Sequence, residues 1–138
     1  MTPTLVVILG PTAVGKTELT LSLAEHFNCP VLNCDSRQIY RDMKIGTASP
    51  TPEQLCRARH YFVGQLSLDD YYSAARYEQE VLSLTAELFK THSTLILSGG
   101  SMMYIDAVCN GIDDIPTIDE EVRNTLSTRL REEGLDTL

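Results

Sequence analysis

Residues 10–17 read GPTAVGKT, directly after the apolar run Thr4–Leu9 and directly before a helical pattern that starts at Lys16. No other stretch restricts the possible folds as much. The pattern G-x-x-x-x-G-K-[ST] acts only where a strand leads in and a helix leads out. The helix N-terminus supplies unpaired N–H groups and a partial positive charge. The glycines let the backbone wrap phosphate oxygens. Lys16 can neutralise those oxygens, and the Thr17 hydroxyl can ligate Mg²⁺. Gly10, Pro11, Thr12, Ala13, Val14, Gly15, Lys16 and Thr17 are therefore read as a phosphate-binding loop. The motif specifies a phosphate, not a nucleotide.

The rest of the chain supplies the sheet that such a loop needs. The run Thr4–Leu9 (TLVVIL) reads as a buried strand, and a helix is expected from Lys16 to Phe27, with Leu19, Leu23 and Phe27 on one face. VLNC at 31–34 reads as a second strand, HYFVG at 60–64 as a short third and TLILS at 94–98 as another buried strand. Residues 41–60 read as irregular, with turns at Gly46, Pro50 and Pro52. A helical stripe joins Tyr77, Val81, Leu84 and Leu88 within 71–90. A further helix is expected over SMMYIDAVCNG, with Met102, Met103 and Tyr104 in the core. A charged helix follows at 119–133, capped by Thr117 or Asp119. Strands alternating with helices predict an α/β fold, a parallel sheet flanked by helices, P-loop NTPase-like. Ligands of such sheets lie outside the carboxyl ends of the strands, so the loops after Leu9, Cys34 and Ser98 should share one edge.

At 138 residues the chain suits a single domain. A catalytic core over 1–112 and the start of a helical region over 113–138 are expected. The chain stops just after a helix with no closing element, so it reads as the first part of something longer. No apolar run reaches the ~20 residues of a membrane span, and no signal peptide precedes the first strand. Cys29, Cys34, Cys56 and Cys109 have neither metal nor disulfide spacing, which suits the reducing cytoplasm. A net charge of −8 argues against a simple nucleic-acid-binding module. Arg37, Arg41, Lys44, Arg57 and Arg59 nevertheless face only Asp42 and Glu53 within 37–60, a local excess that could receive a polyanion. His60 and His92 lack metal-like neighbours and read as structural or surface residues.

Phosphate loops of ATPases and GTPases are usually joined by an apolar strand ending in Asp, which holds Mg²⁺. Here TLILS ends in Ser98-Gly99-Gly100 instead. The acid at a strand end beside the loop is Asp35, in VLNCDSRQIY. It could cap a turn, ligate a metal or act on a ligand held nearby.

GPTAVGKT, DSRQIY with MKIGTASP, LSGGSMMYIDA and IPTIDEEVR occur in one order along the chain. Together they closely resemble the tRNA dimethylallyltransferases, also called tRNA isopentenyltransferases. The resemblance implies transfer of a dimethylallyl group from dimethylallyl diphosphate to N6 of adenosine 37 in tRNA, with Mg²⁺ as cofactor. It implies that the phosphate loop holds a diphosphate leaving group. Asp35 would be the general base, and Asp35, Ser36, Arg37 and Gln38 would contact the tRNA base. Lys16 and Ser101 would act on the diphosphate. A monomer in the cytoplasm, with tRNA and dimethylallyl diphosphate as partners and no membrane, is expected.

Two positions depart from the family pattern. Ser101 stands where Thr is usual after the glycine pair, keeping the hydroxyl. Ser49 stands where GTAKP has Lys, removing a positive charge. The family's later diphosphate-binding Arg lies beyond residue 138, so these residues alone should have little activity. Alternatives are a P-loop kinase using ATP, with Arg57 and Arg59 imagined as its lid, and an isopentenyltransferase acting on free adenine nucleotides. A regulatory protein that senses a phosphorylated ligand is a third.

Overall fold

A computed structural model describes residues 2–113 and 118–137. Thr117, one of the two expected caps of the last helix, lies outside the described residues. Four parallel strands form one sheet: β1 (Thr4–Leu9), β2 (Val31–Asn33), β3 (His60–Tyr61) and β4 (Thr94–Gly99). Their order is β1-β4-β2-β3. The register sets Leu9 beside Gly99 and Asn33 beside Ser98. The loops after β1, β2 and β4 therefore leave the sheet at one edge, as expected.

β1 is less buried than its sequence suggests. It pairs only with β4 among the described residues, and Ile8 is its one buried side chain. Both of its faces still meet apolar neighbours. Leu5 and Val7 pack with the cluster of Leu32, Leu97, Phe62 and Tyr77, whereas Val6 packs with Ala24, Val31 and Ile96 on the other face. An apolar run suits a parallel sheet covered on two sides; it does not reveal whether the strand lies at an edge.

The first helix, α1, spans Lys16–Phe27 as expected but buries a different face. Thr20, Leu21 and Ala24 are buried, while Leu19 and Phe27 are exposed and only Leu23 of the expected stripe packs inward. Leucines occur at 19, 21 and 23, around more than one face, so periodicity alone does not fix the rotation of this helix. The loop does: with Lys16 and Thr17 turned to the loop's concavity, Thr20 and Ala24 follow one and two turns below.

A short helix, α2 (Pro52–Arg57), lies within the stretch expected to be irregular. Thr51 and Gln54 form a reciprocal capping box, and Pro52 occupies the first turn. Helix α3 (Ala74–Leu88) buries Tyr77, Val81 and Thr85. Helix α4 (Met102–Asn110) buries Tyr104, Ile105 and Ala107. Met102 and Met103, expected in the core, are exposed, because the inward face of α4 begins only at Tyr104. Helix α5 (Glu120–Glu133) is capped by Asp119, whose carboxylate accepts from the Glu121 N–H. No helix among the described residues is long and apolar enough to cross a membrane.

Candidate active site

The carboxyl edge of the sheet encloses a chamber of about 200 Å³. The phosphate loop forms one wall through Thr12, Ala13, Gly15, Lys16 and Thr17. Asp35 and Gln38, from the turn after β2, form another. Thr47, Ala48 and Pro50 close a third side, and Thr20, Asn33, His60 and Ser98 lie deeper. Asp35 is the one carboxylate among these lining residues.

The loop is shaped for an anion. Gly15, just before α1, has φ 88°, a left-handed conformation suited to glycine. Ala13 also has positive φ, 68°, a conformation that costs a non-glycine residue energy. No side chain caps α1, so its first N–H groups remain available. The Lys16 ammonium folds over the loop and donates to the Pro11 carbonyl.

Asp35 is half-buried and held by its own turn. Its Oδ1 accepts from the N–H groups of Arg37 at 2.9 Å and Gln38 at 3.2 Å. No described residue donates to Oδ2. The strand ladder continues past β2, because Cys34 N donates to Ser98 O at 2.7 Å. This fixes where Asp35 begins.

The loop after β4 is joined closely to the Asp35 turn. Ser101 N donates to Cys34 O at 3.2 Å, and Ser36 N donates to Ser101 Oγ at 2.8 Å. Ser101 Oγ in turn donates to Ser36 Oγ at 3.1 Å. Gly99 allows this approach: a Cβ there would sit 2.0 Å from Cys34 O. Cys34 itself is fully buried, and burial pushes its thiol up to about 12, so it supplies no nucleophile at neutral pH.

Hydroxyls occupy the place where a strand-end acid would meet the phosphate loop. Ser98 Oγ, near the end of β4, and Thr20 Oγ1, on α1, are 2.7 Å apart. Asn33 Nδ2 donates to Phe62 O at 3.0 Å, while the backbone carbonyl of Asn33 accepts from Tyr77 Oη at 2.8 Å. His60 Nδ1 lies 2.8 Å from Ala58 O. A carbonyl only accepts, so Nδ1 carries the proton and Nε2 is an acceptor. Burial holds the His60 imidazole below its ordinary value, against the weaker opposing effect of that hydrogen bond.

Of the residues expected at the site, Thr12, Ala13, Gly15, Lys16, Thr17, Asp35 and Gln38 meet in the chamber. Gly10, Pro11 and Val14 complete the loop behind that surface, while Ser36 and Ser101 brace the Asp35 turn. Arg37 is exposed and does not line the chamber. Sequence reasoning passed over Asn33 and Ser98 and read His60 as structural or surface. The alternation of β2 could have placed Asn33 on the same face as Asp35, two positions on. Nothing local pairs His60 with Val31, which is a sheet contact across 29 residues.

A family model described as IPP transferase matches residues 38–138. A tRNA dimethylallyltransferase of Phocaeicola vulgatus is 62% identical over 138 residues, covering 100% of this chain and 46% of that protein. One from Bacteroides fragilis is 59% identical over 135 residues, covering 98% and 45%. The solved tRNA isopentenylpyrophosphate transferase of Bacillus halodurans superposes with a TM-score of 0.78 at 31% identity, over 99% of this chain and 45% of that one. The chain thus spans about half the length of the curated relatives it matches.

Proposed function

The chain belongs to the IPP transferase family, and from that premise we propose that it carries the phosphate-loop part of an enzyme that prenylates tRNA. The reaction moves a dimethylallyl group from dimethylallyl diphosphate to N6 of adenosine 37. The observation that carries this reading is the meeting, in one chamber, of the phosphate loop and a single carboxylate with one oxygen tied down and one free.

The chemistry follows from those groups. An exocyclic adenine amine is a poor nucleophile, because its lone pair is delocalised into the ring. Asp35 Oδ2 takes one N6 proton as the N6–C1 bond forms, and such assistance contributes roughly 10²–10⁴-fold. The C1–O bond breaks at the same time, and diphosphate leaves with the electron pair. Lys16 and the N–H groups at the start of α1 stabilise the growing charge. For Ser101 to donate to a diphosphate oxygen, its proton turns from Ser36 Oγ, whose own O–H then donates back. The base must leave its stack to reach the chamber, and the Ser36–Gln38 turn is the surface it meets.

The donor set also fits Mg²⁺. No cluster of three or more His, Cys, Asp or Glu side chains able to cage a metal occurs among the described residues. At phosphate loops of this pattern the Ser/Thr hydroxyl holds Mg²⁺ together with substrate phosphates, and the ion keeps several waters. Thr17 Oγ1 would be the protein ligand, and the ion would neutralise diphosphate charge.

In this reading residues 1–112 are the catalytic core and 113–138 begin a helical region that grips tRNA. Neither arginine imagined as a lid for the kinase alternative lines the chamber, and the Arg59 guanidinium lies over the Tyr61 ring, 5.0 Å from its centroid. The Arg57 guanidinium is engaged with Glu25 at 2.7 Å and Glu18 at 2.8 Å. Calorimetric titration of the full-length protein with a non-hydrolysable dimethylallyl thiodiphosphate and with ATP, each with Mg²⁺, tests the proposal. The allylic analogue should bind and Lys16→Ala should abolish that binding. Asp35→Ala should abolish transfer to tRNA while leaving the analogue bound. Tight ATP binding with no binding of the analogue would overturn it.

A further inference from the structure

The chamber presents several hydrogen-bond acceptors, and the one on Asn33 has no task in the proposed transfer. Asn33 is 7% exposed. Its Nδ2 is committed to Phe62 O, which turns Oδ1 the other way, and no described residue donates to that oxygen. Gln38 spends Nε2 on the carbonyls of Thr47 and Ala48, at 2.9 and 3.3 Å, leaving Oε1. His60 offers only the Nε2 lone pair, and Asp35 only Oδ2. None of these acceptors has a protein donor among the described residues, and no described side-chain polar atom is both fully buried and unpaired, so each is open to a donor that enters the chamber.

We propose that Asn33 Oδ1 accepts the second N–H of the purine 6-amine whose first N–H faces Asp35, so that Asn33 selects a 6-amino purine over a 6-oxo purine. This rests on the transfer reading above. Asn33 and Asp35 lie two residues apart along a strand line kept in register by the Cys34–Ser98 hydrogen bond, so both face the chamber, their Cα atoms roughly 7 Å apart. Two acceptors each about 2.9 Å from one amine nitrogen stand about 5 Å from each other, a separation that two side chains leaning inward from those positions can span.

An amide carbonyl suits the second position better than another acid. A second carboxylate would repel the charge on Asp35, and the two would not ionise independently. The proton count also fits. A 6-amino group has two N–H bonds: one is broken, its proton passing to Asp35 as the N–C bond forms and the C–O bond to diphosphate breaks. The other survives in the product and stays on Asn33. A 6-oxo purine instead sets a carbonyl oxygen against two acceptors and leaves all three without a donor.

The test uses the full-length protein and anticodon stem-loop RNAs that differ only at the target base. Wild type should bind adenosine better than purine riboside, which lacks a 6-substituent, and better than inosine. Asn33→Ala should shrink the preference for adenosine over purine riboside by about tenfold, with the affinity for the allylic diphosphate analogue unchanged. A second measurement needs no mutation. N6-methyladenosine retains one N–H for Asp35 but sets a methyl against Asn33, so wild type should use it at least about tenfold less well. Equal use of N6-methyladenosine and adenosine would overturn the inference. So would a folded Asn33→Ala protein with the same base ranking as wild type, or one whose only defect is weaker Mg²⁺ binding, which would mark a cation site. If the wild type binds none of the RNAs, the transfer reading fails with it; if it binds adenosine and only the ranking is unaffected by Asn33, this inference alone fails.

Discussion

Replacing Gly99 by alanine should separate folding of the sheet from alignment of the reacting groups. A Cβ at this position would lie 2.0 Å from Cys34 O, 2.2 Å from Cys34 C and 2.8 Å from Cys34 Cα. All three are backbone atoms, so no side chain can swing aside. The Cys34 carbonyl must retreat by about 1.4 Å to restore an ordinary 3.4 Å contact. That carbonyl holds Ser101 N, and the next residue is Asp35. Overpacking typically costs about 1–3 kcal/mol and occasionally more; with only backbone able to give way, the cost here should sit at the top of that range, which a domain of ordinary stability survives. A misplacement of about 1 Å at a reacting group can lower a rate by about 10²-fold. Gly99→Ala in the full-length protein should therefore fold, bind the allylic diphosphate analogue at the unchanged phosphate loop and lose about 10²-fold in single-turnover transfer. A variant that folds and transfers within about threefold of wild type would refute the argument that this contact sets the position of Asp35.

Two further outcomes follow from the buried hydrogen bonds and the imidazole. Tyr77→Phe removes the Oη–H that the buried Asn33 carbonyl accepts at 2.8 Å, and should cost about 1–3 kcal/mol in urea denaturation; an unchanged midpoint would count against that bond. For His60 the folded state holds the group below its ordinary 6.5. The unfolded chain then takes up the proton first as pH falls, so stability is full above about 6.5 and declines below it. Denaturation midpoints compared between about pH 7 and pH 5.5 should fall in wild type and fall less in His60→Gln. Identical slopes would show that the native imidazole is not held neutral.

What could be read directly from the sequence was whatever depends on near neighbours. The phosphate loop is a contiguous pattern with its strand and helix attached, and the four strands have local apolar runs. Helix α2 was also locally encoded, in Thr51, Pro52 and Gln54, but two prolines and a glycine nearby favoured an irregular reading. The rotation of α1 was not local. It depends on how Gly15 delivers Lys16 to the chamber and on Thr20 meeting Ser98, 78 residues on. The exposure of Met102 and Met103 similarly depends on where α4 first touches α3. Asn33 and His60 look unremarkable in sequence because their neighbours are set by strand order. Only the crossovers that place β2 between β4 and β3 bring them under the phosphate loop.

That strand order also bears on what Asp35 can do. With β4 lying between β1 and β2, the phosphate loop, the Asp35 turn and the Gly99–Ser101 loop are forced side by side. A strand-end acid on β4 would compete for cations at the phosphate loop and repel Asp35. In its place Ser98 and Thr20 bond each other, two neutral hydroxyls at the same point. Asp35 is thereby the single carboxylate among the described residues lining the chamber, with Oδ1 fixed by two backbone N–H groups and no described donor to Oδ2. An acid serving only as a turn cap would need just the first oxygen. Asp35 and Lys16 line the same chamber, and a second carboxylate oxygen without a protein donor is what the proposed transfer asks of its base while the phosphate loop holds the leaving group.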